Sequence, residues 1–304
     1  MTRNMHFNVE AIEHVTLAGP AALMARDWMS PFAWTEPDGR VGIMVRAVCK
    51  PGTPMTDTGV VWAGWGDGKH FEMLPAPAIL PGPDAHDIGG VEDPTVLRME
   101  DGSYVVYYTG VAADMAHGEL SYASGASVEA LTKSGVVLAS TKSMGNTKEA
   151  TVGQTRDGHW RLYYEYAGEV APGEFASRVG LAIGEGVAGP WTEQPAPFTV
   201  REKSWDNFHL STGPMLMDDP DHPVMFYNGA TRDARWRIGW AMFDHNCTKL
   251  VARGIEPLVV PPPAEDRNAT DIAFAASVIT QGRGVWLYYS LEDRMLARAR
   301  IVRS

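Results

Sequence analysis

The apolar positions of the chain fall into one pattern that recurs five times: a short strand-like run, a turn eight residues into it, and a return strand. The first runs are SPFAW from Ser30, DPTVL from Asp93, EATVG from Glu149, TGPML from Thr212 and FAASV from Phe274, at successive spacings of 63, 56, 63 and 62 residues. The turns are Asp38-Gly39, Asp101-Gly102, Asp157-Gly158, Pro220-Asp221 and Gly282-Arg283, dipeptides that favour tight hairpins. The returns are VGIMVRAV, SYVVYYTGV, HWRLYYEYA, HPVMFYNGA and VWLYYS, enriched in β-branched and aromatic residues as sheet strands are. Pieces such as TGVVWAGW, HGELSYAS, SRVGLAIG and RWRIGWAMF bring each repeat toward four strands in roughly 60 residues. Such units repeated radially predict an all-β, five-bladed β-propeller with four-stranded antiparallel blades, one domain over residues 1–304. The N-terminal stretch VEAIEHVTLAG is expected to lie beside LARARIV, so that pairing of the two ends covers exposed sheet edges.

Composition narrows the function classes. With 304 residues and 45% hydrophobic content the chain can bury a full core. A formal charge of -11, with no Lys/Arg block, disfavours nucleic acid and anionic lipid and favours a neutral ligand. No apolar run is long enough for a signal peptide or a membrane span, so a cytoplasmic protein is expected. Cys49 and Cys247 have no metal-ligand spacing and read as ordinary buried thiols, and no motif calls for a metal or cofactor. Gly184 to Gly189 matches GxGxxG, but Pro190-Trp191 follows where a dinucleotide fold needs a helix. The sequon Asn268-Ala269-Thr270 has no meaning for a cytoplasmic chain, and nothing sets the oligomeric state.

In a radial repeat, equivalent positions stand at one height around the axis. The first ring reads Ser30, Asp93, Glu149, Thr212 and Phe274; the second reads Arg46, Thr109, Glu165, Asn228 and Ser290. A turn midway between Glu149 and Glu165 predicts cross-strand neighbours, with Cβ atoms about 4.5–5.5 Å apart. Crowded like charges raise a carboxyl pKa, which is how acid–base sites are built. Asp93 lies in GGVEDPTV, where Gly89 and Gly90 leave room for a ligand near the backbone, and Arg46 is placed to hold Asp93 or substrate. Lys148 and Arg161 are placed to pair with the two glutamates. Trp28, Trp34, Trp205 and Trp236, near the same strand ends, are candidates to stack on sugar rings.

The segment GVEDPTV, from Gly90 to Val96, with the DG turn and YYTG strand behind it, resembles glycoside hydrolase family 130, which contains the β-mannoside phosphorylases. Weaker echoes are DGKHF from Asp67, NTKEA from Asn146, STGP from Ser211 and YNGA from Tyr227; the likeness runs from Trp28 to residue 292. The resemblance implies a five-bladed propeller acting on oligosaccharides, with Asp93 as the general acid, directly or through a sugar hydroxyl, and inversion at the anomeric carbon. Where the family's phosphorylases carry an arginine and a histidine for phosphate, this chain has Glu165 and Asn228, and Thr95 replaces the arginine after EDP. An anionic Glu165 repels phosphate, so hydrolysis is the sharper expectation, with Glu149 or Glu165 as base. Candidate catalytic residues are therefore Asp93, Glu149 and Glu165; candidate binding residues are Arg46, Lys148, Asn228, Trp34, Thr109 and Thr212. Phosphorolysis is retained as an alternative. A second resemblance, to invertase- and arabinanase-type propellers, needs a further aspartate where Ser30 stands, supplied by Asp27 or Asp271. A sugar-binding propeller without catalysis is the alternative from another class.

Overall fold

A computed structural model of the chain describes residues 6–266, 270–282 and 284–304. Arg283 of the last predicted turn, Asn268 and Ala269 of the sequon, and residues 267–268 at the end of the PPPAEDRN loop lie outside them. The described chain is all-β, with a single four-residue α-helix at Ala21–Met24. No helix among the described residues is long and apolar enough to cross a membrane.

Each predicted first strand forms: Asp27–Thr35, Gly90–Arg98, Gly145–Gln154, His209–Ser211 with Met215–Leu216, and Ala273–Gln281. The three Asp-Gly turns share one geometry. In each, the glycine N–H closes a tight turn, as from Gly158 to the Thr155 carbonyl, while Thr155 N–H reaches His159. Gly39, Gly102 and Gly158 have φ of 87°, 86° and 84°, a conformation that costs glycine little.

The sheets are not five separate four-stranded units. The second and third repeats each form a four-stranded sheet, Gly90–Arg98 to Thr132–Leu138 and Gly145–Gln154 to Trp191–Gln194. The fourth repeat divides into a three-stranded and a four-stranded sheet, because its first strand breaks between Ser211 and Met215. The first and last repeats merge into one eight-stranded sheet. The N-terminal strand Phe7–Ala18 makes that join: it pairs antiparallel with Met295–Arg303, as expected, then runs parallel to His70–Met73.

Hydrogen bonds link the five first strands into a closed circuit. Ser277 Oγ donates to the Pro31 carbonyl at 2.7 Å. Ser30 Oγ donates to Asp93 Oδ1 at 2.7 Å. Thr95 Oγ1 donates to the Ala150 carbonyl at 2.6 Å, and Thr151 Oγ1 to that of Gly213 at 3.0 Å. Asn228 accepts from Ala275 N–H at 2.7 Å and donates to the Ala275 and Thr212 carbonyls.

The return strands read as continuous apolar runs because both their faces are covered. Successive side chains of a strand point to opposite faces, so each aromatic pair feeds two cores. Tyr164 packs with Leu162, Tyr107 and Leu120 of the preceding repeat, and its neighbour Tyr163 packs with Leu210, Tyr227 and Phe243 of the next. Tyr107 and Tyr108, Phe226 and Tyr227, and Tyr288 and Tyr289 divide in the same way, all at most 1% exposed. Five core clusters, each shared by neighbouring repeats, fix the first strands around a common centre.

Candidate functional site

Each of the first three repeats interrupts its first hairpin with a β-bulge. Met29 pairs with Arg46 and Phe32 with Met44, so Ser30 and Pro31 together face Val45. Asp93 and Pro94 face Tyr108, and Glu149 and Ala150 face Tyr164, in the same two-against-one manner. The first bulged residue is left-handed every time: Ser30, Asp93 and Glu149 have φ of 49°, 50° and 54°. Such a conformation costs a non-glycine residue on the order of 1–3 kcal/mol, and repeated outliers of this kind mark functional positions. The bulge turns these three side chains toward the centre of the circuit.

It also changes the register expected from the turn. Glu149 does not stand opposite Glu165; Lys148 does. The Lys148 ammonium lies 3.4 Å from Glu165 Oε1, which also accepts a 2.8 Å hydrogen bond from Ser177 Oγ. Glu165's charge, the leading cause, holds the Lys148 pKa up. The crowded pair is instead Asp93 and Glu149, which line the same cavity and repel one another as carboxylates. Burial first, then the charges of Asp93 and Glu165, push the Glu149 pKa well above the usual carboxylate range, with Lys148 opposing. Asp93 accepts from Ser30 Oγ and lies 3.5 Å from Arg46 Nη1. Arg46 also donates to Glu92 Oε1 at 2.6 Å and to the Thr58 carbonyl at 2.8 Å. Burial raises the Glu92 pKa, which Arg46 opposes.

These groups line an axial cavity of about 180 Å³ with Ser30, Arg46, Asp93, Lys148, Glu149, Glu165, Ser177 and Asp293 as its polar lining and Trp236, Phe274, Met29 and Ile272 as its apolar one. Beneath it, between Ser30, Asp93, Glu149 and Thr212, a void of about 10 Å³ leads downward. That is close to the smallest volume that holds one water. Among the described residues no group of three or more His, Cys, Asp or Glu is arranged to hold a metal ion.

Of the residues singled out in the sequence, Arg46, Asp93, Lys148, Glu149, Glu165 and Trp236 line the axial cavity, together with the ring residues Ser30, Phe274 and Ser290. Four of the predicted binding residues have other placements. Trp34 is 7% exposed in the core between the first and second repeats, and its indole N–H donates to Glu36 at 2.6 Å. Asn228, fully buried, is spent on the backbone of Thr212 and Ala275. Thr109 is 1% exposed behind the cavity wall, paired with Glu92. Thr212 lines only the lower void and donates to the Glu149 carbonyl, holding the bulge. The second ring therefore divides: Arg46, Glu165 and Ser290 line the cavity, while Thr109 and Asn228 are buried away from it.

Gly89 and Gly90 make room for protein, not ligand: a Cβ would lie 2.0 Å from the Ala112 carbonyl at Gly89 and 2.0 Å from Thr58 Oγ1 at Gly90. Arg161 pairs with Asp157, not with a cavity glutamate. Trp28 and Trp205 pack elsewhere, Trp205 stacked on Tyr227 at 5.6 Å. Both cysteines are free, Cys247 buried and Cys49 half-buried. Asp271 pairs with Arg237 at 2.6 Å, and neither it nor Asp27 lines the cavity. The extra carboxylate there is Asp293, which sequence reasoning missed. It sits in the turn after the last YYS strand with φ 53°, and burial raises its pKa. Glu92, just before Asp93 in the same segment, falls on neither ring and takes the hydrogen bond from Arg46.

The shift at Glu149 has a stability consequence. A carboxyl whose folded pKa exceeds its unfolded value stabilises the fold at low pH and loses that contribution as pH rises through the folded value. Glu149→Gln, neutral throughout, is therefore expected to gain thermal stability relative to the native chain from about pH 4.3, the unfolded glutamate value, upward. Melting curves between pH 4 and 9 check this; parallel profiles for the two proteins would refute the assignment.

No family model matches the chain. A stretch of 101 residues, 32% of this chain, is 25% identical to β-1,2-mannobiose phosphorylase of Listeria innocua serovar 6a and spans 28% of that relative's length. The solved structure of β-1,2-mannobiose phosphorylase from Listeria innocua, in complex with β-1,2-mannobiose, superposes with a TM-score of 0.74 at 16% identity, covering 96% of this chain and 90% of that one. A structure from work reporting that the GH130 family of mannoside phosphorylases contains glycoside hydrolases that target β-1,2 mannosidic linkages in Candida mannan superposes with a TM-score of 0.72 at 22% identity, covering 90% and 84%. At these identities the likeness establishes a shared fold.

Proposed function

We propose that the chain is a single-domain, five-bladed β-propeller enzyme that hydrolyses β-mannosidic bonds in neutral oligosaccharides. In this reading the eight-stranded sheet is the first and last blades, joined by Phe7–Ala18, and the two sheets of the fourth repeat are one blade divided at its bulge.

The observation that carries the reading is the division of labour among three carboxyls in one cavity. Asp93 and Glu149 line it side by side, with burial and the charge of Asp93 raising the Glu149 pKa, while Glu165 stands against the Lys148 ammonium. Inverting glycosidases need an acid and a base about 6.5–9.5 Å apart to admit water. In this reading Asp93 and Glu149, which line the cavity together and interact through their charges, form the acid unit, and Glu165 is the base. Glu149 passes its proton to Asp93, which hands it to the leaving oxygen, while Glu165 takes a proton from the attacking water, whose oxygen bonds the anomeric carbon as the glycosidic bond breaks. Proton exchange with solvent then restores Glu149 and frees Glu165.

Hydrolysis is favoured over phosphorolysis by charge. The two cations that line the cavity, Arg46 and Lys148, are both engaged with carboxylates. A phosphate dianion would have to displace one of those partners to find a counter-charge. The test is product analysis on β-1,2-linked mannobiose to mannotetraose and aryl β-mannosides, with and without inorganic phosphate. Free mannose released at the same rate in both arms is expected. Sugar 1-phosphate formed only with phosphate would replace hydrolysis with phosphorolysis.

A further inference from the structure

A second, open cavity of about 580 Å³ is lined by Glu202, Asn207, Phe208, Thr231, Arg232 and Asp233. A run of rings in contact connects it to the axial cavity. Phe274 and Trp236, on the axial wall, meet at 5.1 Å between centroids; Trp236 meets His209 at 5.6 Å; His209 meets Phe208 at 4.8 Å. All four side chains are half-buried, so the run is a partly solvent-facing surface rather than core.

The run is held in place. His209 Nδ1 accepts the Ser177 N–H at 3.1 Å, which leaves Nε2 as the ring's donor, and burial lowers its pKa so that the ring is neutral. Arg178 Nη1 donates to the Phe208 carbonyl at 2.6 Å. The Arg232 guanidinium lies 4.2 Å from the Phe208 ring centre and pairs with Glu174, tying the tip of the third repeat's long hairpin to the fourth repeat. Phe175, next to Glu174, is 53% exposed.

We propose that this outer cavity is a distal saccharide subsite, occupied by a sugar unit of the oligosaccharide whose scissile bond lies over Asp93, Glu149 and Glu165. The proposal rests on the glycosidase reading above. Its walls combine ring faces, which take the C–H face of a pyranose, with carboxylate and amide side chains at Glu202, Asn207 and Asp233, which take hydroxyls. Two carboxylates against one guanidinium already paired with Glu174 make the walls net negative, which suits a neutral polyhydroxylated ligand and not an anion.

The experiment compares aryl β-mannoside, mannobiose, mannotriose and mannotetraose as substrates for the native chain, Phe208→Ala and the exposed-site variant Arg232→Ala. The expected result is a KM for the longer oligosaccharides raised roughly 3- to 10-fold in the variants, with kcat and the aryl mannoside kinetics unchanged. Equal KM across chain lengths in all three proteins overturns the subsite while leaving the glycosidase reading standing. Should none of the substrates be cleaved, the glycosidase reading fails, and calorimetric titration of the same oligosaccharides decides the subsite. Affinity that rises with chain length and is lost in Phe208→Ala supports it; flat or absent affinity overturns it.

Discussion

Asp93→Asn is expected to lower kcat on β-mannobiose by about 10³-fold, within the 10²- to 10⁴-fold range of a general acid, while the protein stays folded. The amide keeps the shape of the carboxyl and can still accept from Ser30 Oγ, so the circuit of first strands is preserved. What is lost is the ability to pass Glu149's proton onward. The deficit should shrink sharply on aryl mannosides with acidic leaving groups, which depart without protonation. A purely structural Asp93 would impair both substrate types alike, and that outcome would remove the acid assignment. The native chain should also lose activity on the alkaline side as Glu149, whose pKa is raised, gives up its proton.

Glu165→Gln is expected to lower kcat by about 10²- to 10⁴-fold on every substrate, good leaving group or poor, because the attacking water no longer has a base. A small nucleophilic anion such as azide needs no deprotonation and is drawn toward a Lys148 released from its partner. Added azide should therefore restore turnover and yield a glycosyl azide of inverted configuration. Rescue of Glu149→Gln by azide, with none for Glu165→Gln, would exchange the roles of the two glutamates. Neither result depends on the outer subsite, since the aryl substrates do not reach it.

The repeat, its five first strands and their returns were readable because each blade-like unit is built from local hydrophobic alternation and from turns such as Asp157-Gly158 whose chemistry is short-range. The closure of the two ends was readable too, since VEAIEHVTLAG had to cover an edge and does pair with Met295–Arg303. The membership of Asp93, Glu149, Glu165, Arg46 and Lys148 in one cavity followed from treating the repeat as a map of the centre.

The bulges were not readable. Ser30, Asp93 and Glu149 are ordinary strand residues by composition, and nothing local forces φ near 50° on them. Only packing of both sheet faces and the hydrogen bonds between neighbouring first strands over-determine that conformation, as Thr212 does when it donates to the Glu149 carbonyl. One extra residue in a strand changes the partner of every residue beyond it, so the expected Glu149–Glu165 neighbours became Lys148–Glu165 and the like-charge crowding moved to Asp93 and Glu149. Packing between repeats also decided that Asn228, Thr109 and Trp34 are buried away from the cavity and that Asp293 enters it from a turn.

The sequence by itself thus determined the strand repeat and which acids and bases share a centre, because hydrophobic period and turn chemistry act over a few residues. Which carboxyl holds the proton, which faces an ammonium, and how an aromatic surface leads away from them were decided by the tertiary structure. Those properties depend on register, burial and distance between repeats some sixty residues apart, and no local preference encodes them.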